Sequence, residues 1–179
     1  MSAENNEILD MFCAALDMKE KKRALYEKSM NGCSSADDIG RETFRMLMDA
    51  EGDHTTHIQE IYNDIKQGKS WADACRYYPD QAEGLKSSFD RIVAEHSRKP
   101  DACVDQVVAI DTGLQLEDAS IHFFEEKLPK ATEAIERQFI EKMITDEREH
   151  YRTLADLKFY YTDPEAWFME KSRVRLDGA

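Results

Sequence analysis

The 179-residue chain has few residues that break helices: only seven glycines and four prolines. It also lacks any C-x-x-C pair. Cys13, Cys33, Cys75 and Cys103 stand far apart, which argues against a zinc knuckle or rubredoxin-type iron centre and fits ordinary reduced thiols. No apolar run approaches the roughly 20 residues needed to span a bilayer. The opening MSAENNEILD has neither the basic start nor the apolar stretch of a secretion signal, so the expected location is cytoplasmic. Positive charge is scarce too, with 24 Lys and Arg against 37 Asp and Glu and a net charge of −13. Nonspecific nucleic-acid binding and anionic membranes both need basic patches, so neither is expected as a partner.

What is present is long polar–apolar periodicity in a chain with 34% charged residues, with no strand pattern. The reading is all-α, a single domain over 1–179. A first helix is expected over about 5–30, stopped by Asn31-Gly32. Ser35 and Asp38 resemble a capping-box start for a second, closing near Gly68. A middle segment over about 69–100 holds SWADACRYYP as a short helix and a polar helical piece. A third helix covers about 101–128, and a turn at Pro129 leads to a fourth reaching about 160. Asp163-Pro164 suits a short last helix, docked through Trp167 and Phe168. Some 30 residues between helices two and three exceed what neighbouring helices need, so they are read as a long crossover that leaves those helices parallel in a four-helix bundle.

Two E-x-x-H pairs carry the chemistry: Glu51 with His54, and Glu147 with His150. Residues i and i+3 share a helix face, so each pair offers an oxygen and an imidazole to one centre. Glu20 lies 31 residues before Glu51, and Glu117 lies 30 before Glu147. At about 1.5 Å rise per residue, the outward and return legs of each hairpin nearly match, so each lone Glu can stand level with its pair. Four carboxylates with two imidazoles and no thiolate favour iron or manganese. Asp146 is placed to hydrogen-bond a histidine of the facing helix. His57 is read as a polar residue rotated off the site, Tyr26 as core packing or a redox-active phenol, and Met46 and Met48 as core.

The order E…E-x-x-H…E…E-x-x-H resembles the ferritin-like superfamily, most closely its rubrerythrin branch. The aromatics six positions after each lone Glu, Tyr26 and Phe123, fit the resemblance, which covers about 9–160. It implies a ferritin-like four-helix bundle with metal ligands Glu20, Glu51, His54, Glu117, Glu147 and His150 around two iron ions, manganese or mixed occupancy being alternatives. It further implies reaction with peroxide or dioxygen, and it suggests a homodimer. Two departures stand out. The rubredoxin domain of typical rubrerythrins is missing, so reducing equivalents would come from an external donor such as a separate rubredoxin-type protein. The extra Glu three residues beyond the lone one on the third helix is Ser120 here, which weakens the case for peroxidase activity.

Three functions follow as expectations: a non-haem di-iron oxidoreductase of rubrerythrin type, a ferroxidase for iron handling, and a helical binding or scaffold protein holding a structural metal or none. The third turns on whether the buried carboxylates are compensated without metal, since uncompensated they would be very costly.

Overall fold

The computed structural model describes residues 3–32, 38–74, 89, 91–93 and 104–176. Among the described residues the regular structure is helical throughout, without a strand. Helix α1 spans Ala3–Gly32, α2 Asp38–Lys66, α3 Trp71–Ala74, α4 Val104–Lys127, α5 Ala134–Thr162 and α6 Pro164–Leu176, with one 3-10 turn at Leu128–Lys130. No helix among them is long and apolar enough to cross a membrane. The expected cap at Ser35 falls outside the described residues, as do His96, Cys33, Cys75, Cys103 and most of the middle segment.

The helix ends follow local chemistry. Helix α2 stops where Gly68 takes φ +86°. There the Gly68 N–H bonds the Ile65 carbonyl at 2.9 Å and the Lys69 N–H bonds the Asp64 carbonyl at 3.0 Å, a double closure that needs a left-handed residue. Helix α5 starts where Glu136 reaches back to the N–H of Thr132 at 2.9 Å. Helix α6 starts at Pro164, with the Ala166 N–H donating to Asp163 Oδ1 at 3.0 Å. Trp167 is buried against Tyr160, ring centroids 5.4 Å apart. Phe168, expected to dock beside it, touches the same ring but stays 47% exposed.

Cross-helix contacts fix the directions of the four long helices. Phe12 meets Phe139, and Lys22 meets Glu147, so α1 and α5 run the same way. Glu51 meets His150 and His54 meets Asp146, so α2 opposes α5. Lys158 meets Asp111 and Arg148 meets Glu125, so α4 also opposes α5. Helices α2 and α4 therefore run in the same direction. Gly113 of α4 leaves room for the side chains of Leu154 and Tyr26: an added Cβ would lie 2.9 Å from Leu154 Cδ1 and 3.3 Å from Tyr26 Cε1.

Each long helix buries a stripe that alternates steps of three and four residues, the spacing of helices packed side by side. On α1 the stripe is Phe12, Ala15, Lys19, Lys22, Tyr26 and Ser29. On α2 it includes Leu47, Glu51, His54, Ile58, Ile61 and Ile65, and on α4 Ile110, Glu117, Ser120 and Phe124. On α5 it includes Ile140, Met143, Glu147, His150, Leu154 and Leu157. The apolar parts form two clusters. One gathers Tyr26, Phe44, Leu47, Phe89, Ile110, Leu154 and Trp167, and the other Phe12, Ile58, Trp71, Phe124, Phe139 and Ile140. Between them lies a polar layer, built from one i, i+3 pair on each long helix.

Candidate functional site

That layer consists of Lys19 and Lys22 of α1, Glu51 and His54 of α2, Glu117 and Ser120 of α4, and Glu147 and His150 of α5, all buried. One donor atom from each of Glu51, Glu117, Glu147 and His150 lies within 4.8 Å of the others, a group that could hold a metal ion. His54 stands beside it, its ring stacked on His150 with centroids 5.4 Å apart and planes 16° apart. Five of the six residues expected at the centre thus meet in one layer.

The sixth does not. The Glu20 side chain is 71% exposed and lies 3.6 Å from Arg23 on the outer face of α1. Its height along the helix agrees with the centre, but a neighbouring residue is turned by about 100°, and the inward positions belong to Lys19 and Lys22. The aromatic register corrects in the same direction. Tyr26 and Phe124 are fully buried, while Phe123 is only partly so. Six residues turn a helix by about 600° and leave the ends on different faces; seven turn it by about 700°, close to two full turns. Counting back seven from Tyr26 and from Phe124 gives Lys19 and Glu117. A lysine on α1 therefore stands where α4 places its glutamate.

The two ammonium groups sit among the carboxylates. Lys22 Nζ lies 2.6 Å from Glu51 Oε1 and 2.8 Å from Glu117 Oε2, and it also donates to Glu147 Oε2. Lys19 Nζ lies 2.9 Å from Glu51 Oε2, donates to Glu147 Oε1, and donates to His54 Nδ1 at 3.2 Å. With Nδ1 accepting, His54 carries its proton on Nε2, 3.3 Å from Asp146 Oδ2. Asp146 is held in turn by Lys142 at 2.7 Å, so the residue expected to orient a facing histidine does face one. His150 Nδ1 lies 2.9 Å from Glu51 Oε1 and 3.5 Å from Glu117 Oε1. The Tyr26 hydroxyl donates to Glu117 Oε1, which makes this ring a partner of the centre as well as core packing. His57 bonds its own helix at the Asp53 carbonyl, away from the centre.

Electrostatics follow from burial opposed by pairing. Burial pushes the Lys22 ammonium down, but Glu147, Glu51 and Glu117 together hold it well above its usual range. Burial pushes the Glu51 and Glu147 carboxyls up, and the charges of Lys19 and Lys22 outweigh it, holding both well below the usual carboxylate range. For Glu117 burial wins over Lys22 and the carboxyl is raised. Burial lowers His150, yet Glu51 and Glu117 lift it to about 9. Burial and the adjacent Lys19 charge lower His54 to about 4. His150 is therefore cationic at neutral pH and His54 is neutral. Three buried glutamates stand against Lys19, Lys22 and His150, so the chain itself supplies positive charge to the layer.

A lysine held well above its usual range is a poor nucleophile, because it is locked in its protonated form, so Schiff-base chemistry at Lys22 is disfavoured. Sequence reasoning missed both lysines because metal-ligand types were sought first. The three-four stripe of α1, running from Phe12 to Ser29 through positions 19 and 22, is the signal that places them. No family model, curated protein or solved structure matches the chain.

Proposed function

We propose that this chain is a ferritin-like four-helix bundle, with a long crossover between α2 and α4 and a short C-terminal helix, whose centre works without a dinuclear metal pair. On this reading it is a helical binding or scaffold protein. The observation that carries it is the placement of the Lys19 and Lys22 ammoniums between Glu51 and Glu147, where they supply the positive charge that the carboxylates require. Two divalent ions added to this layer would meet three cations already in place, and each carboxylate would have to exchange an existing partner for a metal. The four parallel and antiparallel directions, the two E-x-x-H pairs and the shared polar layer support the fold; the lysines argue against the redox chemistry that usually accompanies it.

A second reading keeps the non-haem di-iron oxidoreductase acting on peroxide or dioxygen, or the ferroxidase. It is favoured by the convergence of Glu51, Glu117, Glu147 and His150 within 4.8 Å, and by Asp146 behind His54, the outer partner that metal-bound histidines commonly have. It requires iron to displace both ammoniums.

Anaerobic ferrous loading followed by desalting and iron analysis separates the two. The metal-independent reading expects no retained iron and no spectral change on adding peroxide. About two irons per chain, lost in a Glu51→Ala/Glu147→Ala variant, would establish the second reading instead.

A further inference from the structure

The two ammonium nitrogens do more than neutralise charge on average; their contacts divide the layer into two separate positions. Glu51 gives Oε1 to Lys22 and Oε2 to Lys19, while Glu147 gives Oε2 to Lys22 and Oε1 to Lys19. Both carboxylates thus bridge two cations through different oxygens. Glu117 joins the Lys22 position and His54 the Lys19 position. Resting on the metal-independent reading, we infer that Lys19 and Lys22 are built-in occupants of two latent cation sites, each standing one-for-one in the place of a divalent metal ion. The Lys22 site would offer oxygens of Glu51, Glu117 and Glu147 with the His150 imidazole alongside; the Lys19 site would offer oxygens of Glu51 and Glu147 with His54 Nδ1.

Oxygen donors mixed with one imidazole at each position suit Mn²⁺, Fe²⁺, Co²⁺ or Zn²⁺. The positive charge is fixed to α1 by a covalent stem, so a metal ion can enter only if the side chain leaves. Shortening that side chain removes the cation and opens its space together. Lys22→Ala should therefore create a site at one position, Lys19→Ala at the other, and the double variant both. The third partner identifies which site has opened. Glu117→Gln should abolish binding in the Lys22→Ala background and spare it in the Lys19→Ala background. His54→Gln should do the reverse.

The probe is Co²⁺, titrated into each folded full-length chain and followed by visible d–d absorbance and equilibrium dialysis. The expected result is no cobalt on the natural chain, one ion on each single variant, and two on the double variant, with the cross-pattern of Glu117→Gln and His54→Gln. Because the variants leave buried carboxylates unpaired, far-ultraviolet circular dichroism is measured with and without Co²⁺. Helix regained on adding the metal supports the inference in the same way. Variants that fold and take up no cobalt, or that stay unfolded with cobalt present, overturn it while an inert natural chain leaves the metal-independent reading standing. Two cobalt ions bound by the natural chain would overturn that reading, and this inference with it.

Discussion

Replacing Lys22 by methionine tests whether the lysine compensates the centre. Methionine keeps much of the stem's volume and removes only the charge and its three donors. Lys22 is buried and touches Glu51, Glu117 and Glu147, so its loss leaves three buried carboxylates with one ammonium fewer. Breaking a buried ion pair from one side costs about 3–5 kcal/mol. Against a typical total of about 5–15 kcal/mol, that is a large fraction of the folding free energy. For a domain of this size it corresponds to a fall of about 6–20 °C in Tm. Urea unfolding at pH 7, followed by circular dichroism at 25 °C, gives the loss directly. The partner test is Lys22→Met with Glu117→Gln. Glutamine still offers an oxygen to the Tyr26 hydroxyl but carries no charge, so the double variant should be less destabilised than the sum of the singles, by about 0.5–3 kcal/mol. A Lys22→Met loss below about 1 kcal/mol with strict additivity would refute the compensation argument.

The pH profile of stability should be a dome, because the two histidines are shifted in opposite directions from about 6.5. His150, raised to about 9 by Glu51 and Glu117 against burial, holds its proton more tightly folded than unfolded; its contribution is full below about 6.5 and is lost as pH rises through 9. His54, lowered to about 4 by burial and Lys19, contributes above about 6.5 and loses that contribution as pH falls towards 4. Unfolding free energies that stay flat between pH 6.5 and 9 would contradict the alkaline limb. Glu20→Gln should change stability by less than about 0.5 kcal/mol, since the side chain is exposed on the outer face of α1; a loss of several kcal/mol in thermal unfolding would return Glu20 to the centre. Gly113→Ala should destabilise by about 1–3 kcal/mol despite the better helix propensity of alanine, because the new methyl meets Leu154 at 2.9 Å. A rise in Tm would show that Leu154 and Tyr26 can shift aside.

Most of the architecture was legible because it depends on spacing. The scarcity of breakers, the Gly68 stop and the Asp163-Pro164 start all describe local backbone chemistry, and α2, α5 and α6 begin or end where that chemistry directs. The level within a hairpin was legible too, since equal legs on either side of the Pro129 turn put Glu117 and Glu147 at one height. The azimuth on α1 was not. A search for carboxylates picks Glu20, whereas the stripe Phe12, Ala15, Lys19, Lys22, Tyr26, Ser29 faces the core. The error is one residue, but one residue turns a helix side chain to another face and here exchanges an anion for a cation. Two lysines in an otherwise buried stripe read, by composition, as a solvated surface; only the carboxylates supplied by α2, α4 and α5 make their burial affordable. Pairing of that kind lies between segments far apart in the chain, where periodicity carries no information. The same limit applied to Asp146, which was noted for its place next to Glu147, while the histidine it faces, His54 at 3.3 Å, emerges only from the packing of α2 on α5.

Crystals of the natural chain grown with excess Mn²⁺, with diffraction recorded at an energy where manganese scatters anomalously, test the central claim most directly. The account predicts continuous side-chain density for Lys19 and Lys22 ending between Glu51 and Glu147, and no anomalous peak in the polar layer. Two anomalous peaks between those carboxylates, with the lysine side chains turned away, would contradict it.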